Sequence, residues 1–239
     1  MESNKKIIVQ IEFISEYPLH VLLDYLHNIE DLYYKYILLE KIVHLVMNDF
    51  TSYRIEKKTK YLSFFENKSL SLELKQVADT IYRINKDNVN KEKVIPKNKK
   101  DNIKELVKVF QKNIHPIISY LSDDEYVMII DEESEENIQL KKLSINSPVN
   151  LSFEGIDKII CQMFYGKQIE MRNQEMHDLS MLKDSLIIGE LIVSLEEKIK
   201  SKNISQGTKN YLNELLNYVK TKQKKLIDDK LFKSVNLLV

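Results

Sequence analysis

Residues 7–13 place Ile7, Val9, Ile11 and Phe13 on one parity and Gln10 and Glu12 on the other, and within six residues the period changes from two to that of a helix. The first pattern predicts a strand with one buried face. The second runs from Leu19 to about Asn48, with Leu22, Leu26, Ile29, Tyr33, Tyr36 and Val43 along one side and His20, Asp24, His27, Asp31 and Lys35 along the other. Pro18 suits the first turn, where its missing N–H costs nothing. Leu23, Leu32, Leu38 and Leu39 widen the apolar stripe. Such a helix would reach about 45 Å, long for a compact domain, which makes Ile37 the candidate position for a kink. A strand leading directly into so long a helix predicts an α+β fold in which that helix covers a sheet.

Further along, Tyr53, Ile55, Tyr61, Phe64 and Phe65 allow one or two short strands in 50–66. Leu70, Leu74, Val77, Ile81 and Ile84 predict a helix capped by Ser69. Residues 85–101, rich in Lys and Asn and holding Pro96, read as a solvated loop and a candidate internal boundary. Asp101 is placed to cap a third helix whose stripe is Ile103, Leu106, Val107, Phe110, Ile114 and Ile118, with a bend at Pro116. The apolar run Tyr126 to Ile130 predicts a central strand. A strand opens at Ile138 and Leu140, and alternation resumes on the other parity from Leu143 through Ile145, Ser147, Val149, Leu151 and Phe153, which requires a bulge or break at Lys141-Lys142. Pro148 suggests a sheet edge there.

Gly155 is read as opening a short helix through Ile156, Ile159, Ile160 and Phe164, which Gly166 stops. Two long helices follow, from about Ile169 to Ser201 and from about Ser205 to Lys230, reversing at Asn203–Thr208 around Gly207. The expected architecture is a small mixed β-sheet packed by the N-terminal helix and others in 1–167, followed by a C-terminal helical hairpin in 168–239.

Composition narrows the chemistry. The four glycines, Gly155, Gly166, Gly189 and Gly207, are isolated, so neither a P-loop nor a dinucleotide fingerprint can be written. Only Arg54, Arg83 and Arg172 supply the planar fork that reads guanine, and the net charge is zero, which disfavours sequence-specific DNA recognition. Lysine-based contact with a phosphate backbone through Lys97, Lys99 and Lys100 stays open. A single cysteine, Cys161, in the apolar run 159–163, excludes an internal disulfide and reads as a buried thiol in a reducing compartment. The N-terminal apolar run is interrupted by Gln10 and Glu12, and the stretch Leu186 to Leu195 is too short to cross a bilayer. A cytoplasmic protein is expected.

Among groups suited to catalysis, His20, Asp24, His27 and Asp31 share a helical face and carry the donor types of a divalent metal site, although one helix seldom completes a coordination sphere. Glu40 and His44 form a smaller pair of the same kind. Asp131 followed by Gln139-x-Lys141 resembles the restriction-type nuclease arrangement of an acid and an acid-x-Lys, with Gln139 where the second acid would stand. No nucleophile elbow is present, and Tyr25, Tyr33, Tyr34 and Tyr36 read as core and rim. Charge is unevenly spread, with eight acids and no base in 123–136 and basic zones in 83–112 and 198–233.

No catalytic set and no cofactor can be named from these residues. The expected function is a non-catalytic protein–protein interaction or oligomerisation protein, such as a subunit of a bacterial or phage-encoded assembly. Its contacts would be the hairpin seam of Ile188, Ile192, Leu195, Ile199, Leu212, Leu215 and Val219. The alternatives are a metal-dependent hydrolase or nuclease and a lysine-based nucleic-acid-binding module.

Overall fold

The computed structural model describes residues 6–13, 19–48, 53–57, 92–94, 99–112, 116–122, 125–130, 138–144, 150–156, 158–164, 190–201, 204–228 and 232–238. In chain order these form β1 (Lys6–Phe13), α1 (Leu19–Met47), β2 (Tyr53–Lys57), β3 (Glu92–Val94), α2 (Lys99–Lys112), β4 (Ile117–Ser122), β5 (Glu125–Met128), β6 (Gln139–Ser144), β7 (Asn150–Ile156), α3 (158–164), α4 (Glu190–Ser201), α5 (Gln206–Asp228) and β8 (Phe232–Leu238). The fold is α+β, with the C-terminal helices in place. Its described strands make two four-stranded sheets, each antiparallel throughout, where one mixed sheet was expected. Two compact units result, one from 1–33, 135–194 and 220–239, the other from 34–134 and 195–219.

In the first unit the strand order is β6-β7-β1-β8. Alternation puts Ile7, Val9, Ile11 and Phe13 on one face of β1, and all four are buried. Leu151, Ile11 and Val235 pair across β7, β1 and β8 as a buried apolar row. Phe13 meets Tyr25 of α1 edge to face, with ring centres 5.7 Å apart. Gly155 lies within β7 because Tyr33 of α1 presses against it: a Cβ there would stand 2.8 Å from Tyr33 Cε2. The Tyr33 hydroxyl then accepts the Ile156 N–H at 2.7 Å, so one tyrosine fixes helix to strand by both packing and hydrogen bonding. Gln162 of α3 and Gln223 of α5, both buried, satisfy each other's amides, and Gln162 Oε1 also accepts the Ile192 N–H of α4.

Several expectations change here. The alternating stretch 143–153 belongs to two strands, β6 and β7, paired antiparallel. The parity change does mark an irregularity, since the β6/β7 register shifts between Leu140 and Lys142. Helix α3 starts at 158, because Gly155 and Ile156 complete β7. Residues 232–238, given no strand from their pattern, form β8 beside β1.

In the second unit the order is β3-β2-β4-β5. Helix α2 ends at Lys112, and the chain beyond Pro116 is strand rather than resumed helix, so Ile118 is buried in a sheet. The Tyr34 hydroxyl donates to the Pro116 carbonyl at 2.9 Å. The 85–101 stretch contains β3 and the start of α2, whose first residue precedes Asp101 by two. Helix α1 is continuous through Ile37, and its polar side is only partly solvated: Asp24 is exposed, whereas Asp31 is 5% and Lys35 1% exposed. A buried ammonium needs partners. Lys35 Nζ donates to the Tyr218 hydroxyl at 3.2 Å and lies 4.9 Å and 5.9 Å from the ring centres of Tyr218 and Phe110, a cation–π arrangement. Tyr218 in turn donates to the Gln111 carbonyl at 2.9 Å. Ser205 Oγ accepts the Thr208 N–H at 3.2 Å and so caps α5, which places Gly207 in the first turn instead of the reversal. The helix expected over 69–85, the proposed boundary at 167/168, and Pro148 and Gly166 lie outside the described residues.

Candidate functional site

Strand β5 follows from the run Glu125-Tyr126-Val127-Met128, whose β-forming residues pair with β4 in the register Ser122↔Glu125 to Ser119↔Met128. The Ile129 N–H donates to the Ile118 carbonyl at 2.8 Å, and Ile129 and Ile130 are buried, which anchors the strand at its C-terminal end. That bond also sets the parity of the ladder. Antiparallel pairing alternates the direction of backbone groups, so Val127 turns its N–H and C=O toward β4 and Met128 turns its own away.

Among the described strands β5 and β3 are the two outer ones of their sheet, so β5 is not the central strand its apolar run suggested. Tyr126, Val127 and Met128 are 39%, 43% and 42% exposed, and Glu125 is exposed as well. Successive residues of a strand point to opposite faces, so exposure of all four means that both faces of β5 are partly open. A partly open apolar edge is a template for strand pairing unless it is defended. Strand β6, one of the two outer strands of the other sheet, carries such defences: a bulge between Leu140 and Lys142, and an exposed Lys141 whose Nζ lies 3.2 Å from Glu154 Oε2 on β7. Within β5 the single charge is Glu125.

Of the expected contact seam, Leu195, Ile199, Leu212, Leu215 and Val219 are buried within the chain, Ile192 is half-buried, and Ile188 lies outside the described residues. On α4 it is Val193, on the other side, that is exposed.

Of the metal candidates, Asp24, His27 and Asp31 have described side chains. Asp24 is exposed and His27 half-buried, the His20 side chain lies outside the described residues, and among those residues no three His, Cys, Asp or Glu side chains are grouped to hold an ion. Of the nuclease-like arrangement, Lys141 lies 3.2 Å from Glu154 Oε2, while Asp131 and the side chain of Gln139 lie outside the described residues. Lys99 and Lys100 open α2, and Lys97 lies outside the described residues. Cys161 is half-buried.

Glu40 and His44 do line a cleft of about 420 Å³ with Val43, Met47, Asn48, Lys198 and Ser201. Its polar groups close helix ends. The Asn48 side chain donates to the His44 carbonyl at 3.0 Å at the end of α1, and Ser201 Oγ donates to the Lys198 carbonyl at 3.2 Å at the end of α4. Glu40, His44 and Lys198 supply one carboxylate, one imidazole and one ammonium, too few to name a reaction. What the sequence pattern missed was the outer position of β5; the signal was the pair of acidic stretches bracketing it. Comparison with protein-family models, curated proteins and solved structures finds no match.

Proposed function

We propose that this chain is a non-catalytic protein-interaction protein, a binding subunit of a larger assembly, whose contact surface is the outer edge of β5. The observation that carries the reading is the exposure of four consecutive residues on an outer strand, three of them large and apolar. An edge of this kind recognises an extended peptide by adding it as a further strand: main-chain hydrogen bonds supply affinity and alternate side chains supply selectivity. Tyrosine and methionine suit the task, the first as a rigid amphipathic anchor and the second as an adaptable one. The hairpin seam expected to do this work is occupied by the chain's own core, which moves the proposed contact from helix to strand.

The test is selection of linear peptides from a random displayed library, with Met128→Pro as counter-screen. Proline at this position removes one of the two outward N–H groups, Tyr126 keeping the other, and leaves the ladder to β4 intact. Peptides that bind the wild type and lose binding to Met128→Pro, with thermal unfolding of the two proteins alike, are the expected outcome. Binders indifferent to that substitution, or none at all, contradict the reading.

A further inference from the structure

We propose that the cleft of about 420 Å³ at the C-terminal ends of α1 and α4 binds a primary ammonium group carried on a short aliphatic chain, either a free amine or the side chain of a lysine. Its lining residues all belong to the second unit, and its volume falls within the range of small-ligand sites, about 300–1,000 Å³. The walls select a ligand by the hydrogen-bonding groups they have left. The Asn48 amide donates to the His44 carbonyl at 3.0 Å and lies 3.3 Å from each ring nitrogen of the same residue, so its N–H groups are directed at α1. Ser201 Oγ donates to the Lys198 carbonyl at 3.2 Å. Both side chains thus commit their donors to helix ends and keep acceptors: Asn48 Oδ1 and the lone pairs of Ser201 Oγ. The Glu40 carboxylate adds two more oxygens, each able to accept more than one hydrogen bond. Acceptors on both walls call for a ligand that donates, and an ammonium brings three donors.

Charge points the same way. A helix leaves its last carbonyls without intrahelical partners and carries about half a negative charge at that end, and the last turns of both α1 and α4 line this cleft. Together with Glu40 they favour a cation and oppose a carboxylate or phosphate. Lys198 counts against a cation, but it is exposed, stands in the last turn of α4 where it offsets that helix end, and can hold its ammonium in water on a four-carbon stem. Val43, buried, and Met47, half-buried, lie one turn apart on α1 and give the cleft an apolar wall that a methylene chain can cover, Met47 adapting its shape to it. A bare metal ion would gain nothing from that wall and would need more ligands than Glu40, and among the described residues no three His, Cys, Asp or Glu side chains are grouped to supply them.

The experiment titrates the isotope-labelled full chain, followed by NMR, with pentylammonium, pentanol and pentanoate, which share a chain and differ in the head group. Expected are saturable shifts of the Val43, His44, Met47 and Asn48 amides with pentylammonium, binding of pentanol about tenfold weaker, and no binding of pentanoate. Glu40→Gln should weaken pentylammonium about tenfold, and Lys198→Met, which removes an exposed like charge, should tighten it about twofold. Nα-acetyl-lysine methylamide separates the two sources: binding tighter than that of pentylammonium identifies a lysine of a partner, and weaker binding a free amine. No saturable shift at these amides with pentylammonium, pentanoate binding as tightly as pentylammonium, or Glu40→Gln without effect overturns the proposal. Weaker pentylammonium binding by Lys198→Met overturns it too, a result that can be read even if Glu40→Gln fails to fold.

Discussion

At the outer strand β6 a register shift and the ion-paired Lys141 interrupt the edge, whereas at the outer strand β5 three apolar side chains lie exposed and the charges stand only at the ends. The contrast is informative because both strands face the same hazard: an outer strand pairs with whatever extended chain it meets. Strand β6 is closed by features within the strand. Strand β5 keeps its middle partly open, with Glu125 as its one charge. A sheet whose edge needs only protection looks like the first; an edge that is used looks like the second.

The contrast predicts that changes behind β6 are felt as stability and changes on β5 as binding. The largest effect should come from Gly155→Val, which drives a Cβ against Tyr33 and Ile160 in the sheet behind β6. Overpacking of this kind costs about 3 kcal/mol, or about 6–12 °C in a melt of a chain this size, with peptide binding at β5 unchanged. Loss of β5 binding together with the fall in melting temperature would break the separation. Next is Tyr33→Phe, which strips the Ile156 N–H of its acceptor and should cost about 1–2 kcal/mol by denaturant titration. Smaller still, Lys141→Val with Lys142→Val removes an exposed ion pair and should change stability by less than about 1 kcal/mol, yet produce new self-association by sedimentation as the β6 edge loses its charge. The smallest change in stability, under about 0.5 kcal/mol, belongs to Met128→Pro, whose effect should appear in binding alone.

How much of this could be read beforehand depends on how local each cause is. Strand β1 and the burial of Ile7, Val9, Ile11 and Phe13 were legible because a half-buried strand writes its own alternation. The irregularity at Lys141-Lys142 was legible for the same reason, since a change of parity has no other cheap explanation. Strand β8 was not. Its place is set by β1, more than two hundred residues away, and Phe232-Lys233-Ser234-Val235 carries little signal by itself. Helix α1 misled in another way: a polar row at helical spacing reads as a wet face, but Lys35 is taken into the interior by Tyr218 and Phe110 from distant sequence. The run Tyr126 to Ile130 showed apolarity without position. Ile129 and Ile130 are core while the residues before them are rim, and only the sheet order separates the two.

The most direct test of β5 as an open edge, and of β6 as a closed one, is amide hydrogen exchange followed by NMR on the wild-type chain with and without a peptide selected for binding to it. The Met128 amide, turned away from β4, should exchange markedly more slowly when the peptide is present, while the amides of Lys141 and Lys142 should not change. Unchanged exchange at Met128, or equal protection at the two edges, would contradict the account.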